Sequence, residues 1–289
     1  LLNGFSLVSN NPSNACSPLT MLSHLISHET LLRLAVFMLL GCVFWVLSLR
    51  FPMRGFGLQK VKIFDGFFIF IALLLAGLAE EFLTPAVVVG VDAVHHFWQS
   101  GPLQDISLSA PAKLLLYLLC VDFCSYWLHR LMHTKTFWSC HAFHHSPKAI
   151  NWLSGARGSP LHMAFIVLPG LVFSTLFFIH DGATIFYIIV LIEVGSQHLT
   201  HTNLRLPFEK QLEWFLVTPR MHFIHHNHKK QYGDSNFGSY FSVWDHLFGT
   251  YTDPSTVPDK DRLGLDADYT MGSLILGVRL KEVTQKVDA

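Results

Sequence analysis

The sequence predicts an all-α integral membrane protein with four or five transmembrane helices and a histidine-rich di-metal cap on the cytoplasmic side. Three observations predict it. The chain of 289 residues is 51% hydrophobic and only 14% charged, against about a quarter charged in a typical soluble domain. Its apolar residues gather in runs of about twenty, the length that crosses about 30 Å of hydrocarbon. The spelling HxxHH occurs twice, at His141, His144 and His145 and at His222, His225 and His226, and HxxxH occurs at His129 and His133. A net charge of zero excludes the basic footprint of a nucleic-acid binder.

Taken in order, residues 1–30 are polar and read as a lead-in. The chain begins at Leu1, so an initiator or leader is expected to have been trimmed. The run 31–49 carries one charge and is the first predicted span; 63–83 is the second, with Asp65 and the pair Glu80–Glu81 toward its ends. The stretch 85–98 is shorter and mixed, and is predicted as a separate interfacial helix. A third span covers about 111–133. The runs 160–179 and 183–194 are predicted as a fourth and fifth, joined by a turn at 180–182. Beyond His201 the chain is polar or amphipathic and holds no further span.

Charge bias sets the expected orientation. Arg50, Arg54, Lys60 and Lys62 follow the first span and place that end in the cytoplasm. Counting alternately puts His129 and His133, then His198 and His201, at cytoplasmic span ends. The segment with His222, His225 and His226 follows in a cytoplasmic tail. Every repeated-histidine segment is thus predicted on one side.

Neutral imidazole offers a lone pair near pH 7 and is the commonest biological metal ligand. On a helix, positions i, i+3 and i+4 share a face, so each HxxHH is predicted to point three rings into one patch. Eight candidate ligands result: His129, His133, His141, His144, His145, His222, His225 and His226. His201 is a ninth, because Glu193, Gln197 and His201 repeat at four-residue spacing. A single structural zinc takes four ligands, so this number suggests two metals. Imidazole suits Zn, Cu, Fe and Ni, and spacing does not choose among them. Asp122, Tyr126, His129 and His133 form one helix stripe. Asp122 lies about 10 Å of rise from His129, too far to orient that ring, and is left with holding Tyr126, a ligand from another segment, or the structure alone. His198, Asp122, Tyr126, Glu193 and Asp245 are therefore candidates for a further ligand or for the support of one. His228 is expected to fringe the tail cluster. His24, His28, His95, His96, His162 and His180 are expected at interfaces or loops. The five cysteines are scattered without a CxxC, and Cys140 abuts His141.

Two other classes fit a histidine-rich membrane chain. A zinc-dependent membrane hydrolase would carry HExxH, which is absent. A non-enzymatic transporter or metal-binding protein would place its ligands midway along spans, whereas these histidines sit at span ends and in the tail.

The words HRLMH, HAFHH and PRMHFIHH, closed by NFGSYFSVWDHLFGTY, resemble the fatty acid hydroxylase / sterol desaturase superfamily of integral-membrane di-iron enzymes. The likeness covers about 111–251. It makes 111–251 the catalytic domain, with a lead-in at 1–30, transmembrane and interfacial helices at 31–110, and a tail at 252–289. Carried over, the family's HxxxH falls on His129 and His133, and its first HxxHH on His141, His144 and His145. The isolated histidine before a Thr-Asn turn falls on His201, and the last box on His222, His225 and His226. The family often reads WDRLFGT; here His246 stands in place of Arg. The resemblance implies two iron ions, zinc being able to substitute in a purified sample, with O2 as co-substrate. It implies hydroxylation or desaturation of a sterol, fatty acyl or related C–H bond, with no catalytic residue beyond the metal ligands. The chain has no b-type-cytochrome or flavin motif, so electrons are expected from a separate protein, a b-type cytochrome or a ferredoxin with its reductase. The expected location is a bacterial inner membrane or the endoplasmic reticulum.

Overall fold

The computed structural model describes residues 28–54, 63–99, 108–177, 183–258 and 262–283. The lead-in before His28, Lys60, Lys62 and the turn at 180–182, with Cys16, His24 and His180, lie outside them. Among the described residues regular structure is helical, with isolated bridges at Pro52–Leu204, Asn227–Leu263 and Tyr269–Glu282.

The long helices follow the apolar runs. They are α1 (His28–Arg50), α2 (Ile63–Gln99) and α3 (Ala110–Met132). Each contains a stretch long and apolar enough to cross a membrane: Leu32–Arg50, Gly66–His96 and Ala110–Met132. After α4 (Trp138–His145), α5 (Pro160–Leu176) and α6 (Ala183–Thr200) are apolar but shorter. Three full-length candidates and two shorter helices thus stand where the sequence predicts four or five spans. Short helices complete the chain: α7 (Glu209–Leu212), α8 (Pro219–His225), α9 (Lys230–Gly233), α10 (Val243–Leu247) and α11 (Met271–Leu276).

One expectation is overturned. The predicted interfacial helix at 85–98 does not exist separately, because α2 runs through Pro85 as one helix of 37 residues. Proline removes one backbone hydrogen bond, but ending a helix in an apolar surrounding would orphan several, so membrane helices tolerate proline. The Thr84 hydroxyl adds a bond of its own to the Glu80 carbonyl, at 2.6 Å.

The helices alternate so that one end of each converges. Past α1, the Phe51 carbonyl accepts from the Arg205 amide at 2.9 Å. Near the start of α2, Phe68 packs edge-on against Phe143 of α4, with centroids 4.8 Å apart. At the start of α5 the Ser159 hydroxyl donates to the Cys140 carbonyl at 2.7 Å. The last turns of α3 and α6 carry His129 and His198 to the same end. Close packing there depends on Gly41, where a β-carbon would stand 2.3 Å from the Trp152 ring. Gly41→Ala is expected to destabilise the protein by about 1–3 kcal/mol, the range for overpacking a filled core. Thermal unfolding in detergent checks it: an unchanged midpoint refutes the tight contact.

Candidate metal centre

The last histidine box is positioned by a local device. In α8 the Thr218 hydroxyl caps the Met221 amide at 3.3 Å and Pro219 occupies the first turn, the favoured pairing at a helix start. Thr218 in turn donates to buried Glu213 at 3.0 Å. That carboxylate is clamped by Arg220 at 2.9 and 2.7 Å. The box His222, His225 and His226 then follows on a fixed helix.

The nine histidines fall into two groups: His129, His133, His141, His145 and His225, and His144, His201, His222 and His226. Within each, one ring nitrogen per residue lies within 4.8 Å of all the others. The groups adjoin, since His145 stacks on His226 at 4.3 Å. The expectation that each HxxHH fills one patch is thereby corrected. His141 and His145 face the first group while His144 faces the second; His222 and His226 face the second while His225 faces the first. The cause is helical pitch: neighbours are turned 100° apart, so i and i+4 nearly align while i+3 points away from i+4.

The arrangement fits a metal in each group. In the second, the Nε2 atom of His222 lies 2.9 Å from that of His201 and 3.1 Å from that of His226. Two nitrogens each about 2.1 Å from one ion, at roughly 90–110°, stand about 3.0–3.4 Å apart. In the first group the buried Nε2 atoms of His133, His145 and His225 have no protein hydrogen-bond partner, and such orphans need an explanation. A shared cation supplies one.

On four of the rings the opposite nitrogen is anchored, which fixes tautomer and ring orientation, whereas Nδ1 of His144, His222 and His226 is buried without a protein partner. Nδ1 of His129 donates to the Phe237 carbonyl at 2.9 Å, and Nδ1 of His225 to the Ser235 carbonyl at 2.8 Å. Nδ1 of His133 meets Asp234 at 3.1 Å, and Nδ1 of His201 the Gln197 carbonyl at 2.9 Å. Asn236, with φ 55°, turns the chain between two of these carbonyls, a left-handed conformation that Asn tolerates. Asp245 holds the same loop, accepting from the Phe237 and Gly238 amides at 2.8 and 2.9 Å.

Of the remaining candidates, none joins either group. His198, a candidate ligand or support for one, lies outside both groups: its Nε2 meets the Phe37 carbonyl at 2.8 Å and its ring lies against Phe37 and Trp152. It precedes His201 by three residues, enough rotation to turn it out of the cluster. Glu193 accepts from the Tyr117 hydroxyl at 3.0 Å. Tyr126 meets the Thr250 hydroxyl at 2.8 Å, and Thr250 in turn donates to Asp245. Asp122 holds a segment rather than a ring, accepting from the Ser239, Tyr240 and Phe241 amides and the Trp244 indole. His246, in the family's Arg position, meets the Glu213 carbonyl at 2.9 Å and stacks on Trp214.

His162 was expected at an interface or loop. Instead it is buried, stacked on His141 with centroids 4.9 Å apart and Nδ1 atoms 2.8 Å apart. A polar residue isolated in the apolar run of α5 was the signal for it. The loop carbonyls gave none, because main-chain acceptors leave no mark in a sequence, and the Asp234 carboxylate lies 101 residues from His133.

Burial holds His133, His141, His144, His145, His222, His225 and His226 well below the ordinary 6.5, with neighbouring imidazoles pushing the same way. His201 is lowered to about 4, again by burial, against the Gln197 bond. All are therefore neutral at pH 7, with lone pairs free to ligate. Below pH about 6.5 the unfolded chain takes up protons that the folded chain refuses, so folding stability falls as pH falls. Chelator-treated protein is expected to melt at a lower temperature near pH 5 than at neutral pH; an equal or higher midpoint refutes the buried neutral cluster.

Residues 114–250, which contain all nine histidines, match the family model described as fatty acid hydroxylase. This segment is a fatty acid hydroxylase domain. Among curated relatives, the alkylglycerol monooxygenase of Xenopus tropicalis is 29% identical over 218 residues, 71% of this chain and 43% of that protein. The ornithine lipid hydroxylase of Rhizobium tropici is 27% identical, covering 62% of this chain and 51% of its own. Human lathosterol oxidase is 24% identical, covering 55% and 52%. The matches span about half or less of these relatives' lengths. No solved structure matches the chain. The matched segment thus begins within α3 and ends at Thr250, past the loop that anchors the histidines.

Proposed function

We propose that the protein is a membrane-bound non-haem di-iron oxidoreductase that uses O2 to hydroxylate or desaturate a C–H bond of a lipid. The observation that carries this reading is the pair of adjoining imidazole groups within a fatty acid hydroxylase domain, in a chain with three helices long and apolar enough to cross a membrane among its described residues. His129, His133, His141, His145 and His225 would hold one ion, and His144, His201, His222 and His226 the other. The chemistry a bound iron pair supplies is oxygen activation and attack on an unactivated C–H bond. The chain's own part is orientation and exclusion of water. The anchors at Asp234, Ser235, Phe237 and Gln197 aim the rings, and the buried packing around them keeps the site dry. Relatives named as monooxygenase, hydroxylase and oxidase of lipids support this class of substrate.

Electrons would come from a separate b-type cytochrome or ferredoxin system. The site would face the cytoplasm, as the basic residues after α1 suggest. Comparing lipids from cells with and without the protein by mass spectrometry tests the reading. Hydroxylation adds one oxygen to a lipid, desaturation removes two hydrogens, and an unchanged lipid profile counts against both. Active protein with fewer than two metals per chain would sink the di-metal assignment.

A further inference from the structure

We propose that the histidine cap is sunk into one leaflet of the bilayer, with residues 206–216 and 243–248 and the last turns of α1 forming a lipid-contact collar around it. The segments after His201 lie outside every apolar helix, yet they expose Phe208, Trp214, Phe215, Leu216, Val243 and Leu247. Leu247 and Phe215 are each 68% exposed and Phe208 76%. Large contiguous apolar surface of this kind marks a contact with lipid or protein.

Three observations select lipid. The first is continuity. Phe123 and Trp127 lie on the outward face of α3, a candidate span, and Trp244 and Phe248 pack against them at 5.1 and 5.0 Å. The collar therefore extends the face that α3 presents to lipid.

The second is depth. Asp122, which binds residues 239–241 and Trp244, precedes the end of α3 by ten residues, about 15 Å of rise. On the other side Gly41 packs on Trp152, close to Gly155, which lies against His201. From Gly41 α1 runs on to Arg50, about 13 Å. Over that length it exposes Val43, Trp45, Val46, Leu47 and Leu49. Apolar surface therefore extends along the helices on both sides of the histidine groups. Exposed Arg50, Arg205 and Lys210 adjoin it, as expected where lipid headgroups begin.

The third is the backbone of the loop itself. Irregular chain is tolerated in hydrocarbon only when protein satisfies its polar groups. Here Asp122 and Asp245 together accept five consecutive amides, from Phe237 to Phe241. The Ser242 amide donates to the Phe215 carbonyl, and the Val217 amide to the Tyr240 carbonyl.

The test is photolabelling of the full chain in phospholipid nanodiscs with a diazirine-tailed phosphatidylcholine, followed by peptide mapping, in parallel with a water-soluble diazirine. Peptides holding Phe208–Leu216 and Val243–Leu247 are expected to take the lipid label as strongly as the peptide with Phe82, which is 80% exposed on α2. The peptide with exposed Lys230 is expected to take only the aqueous label. Aqueous labelling of the two collar peptides would place them in solvent and overturn the proposal. Protection from both reagents would place them in a protein contact and overturn it equally.

Discussion

His225→Ala is expected to abolish lipid oxidation and to lower bound metal from two ions per chain to about one. His225 is the residue of the last box that crosses to the first group, where its ring neighbours His129 at 4.4 Å, His133 at 4.6 Å and His145 at 4.7 Å. Losing a supporting partner of a metal ligand costs roughly 10–100-fold in affinity or activity, and loss of the ligand itself should exceed that. His222 and His226 stay on α8 facing the other group, so the second ion should remain. The internal control is His198→Gln, three residues from His201 but bonded to the Phe37 carbonyl. It is expected to keep both metals and lose only packing stability. Metal analysis of the two purified variants decides the matter. Full metal in His225→Ala, or one metal in His198→Gln, would break the assignment of residues to groups.

Asp245→Leu is expected to empty the first group without removing a ligand. Its carboxylate accepts the Phe237 and Gly238 amides and the Thr250 hydroxyl, and it is fully buried. Each buried amide left without an acceptor costs about 1–3 kcal/mol, so two cost about 2–6 kcal/mol. That is a large share of a typical folding stability of about 5–15 kcal/mol. The structure has a cheaper response, which is to release the loop. Release frees the carbonyls that orient His129 and His225 and moves Asp234 away from His133. Thermal unfolding and metal content should therefore fall together in Asp245→Leu, and by less in Asp245→Asn, whose amide oxygen still accepts. A variant that melts lower but retains all its metal would show that the loop does not position the ligands.

The helical membrane architecture and the nine histidines were legible because both are written in short-range spacing. Apolar runs set the lengths of α1, α3, α5 and α6, and four-residue repeats put His129 with His133 and Gln197 with His201. Pro85 misled for the same reason: it reads locally as a break, while the surroundings of α2 decide whether a break is affordable. Asp122 was set apart from His129 by helical rise, but its partners at 239–241 are more than a hundred residues away and left no trace in its own helix.

The sequence by itself determined that imidazoles occur in helical boxes beside membrane-length apolar helices, since propensity, pitch and hydrophobicity act over a few residues. Only the tertiary structure decided how the boxes divide, with His144 and His225 each leaving its neighbours for the other group. It also decided that His162 stacks on His141 beside the first group while His198 packs against Phe37 and Trp152, and that the loop 234–245 holds the rings of His129, His133 and His225. Those outcomes depend on which helix faces meet and on main-chain acceptors that any residue carries. Such quantities exist only once distant segments pack together.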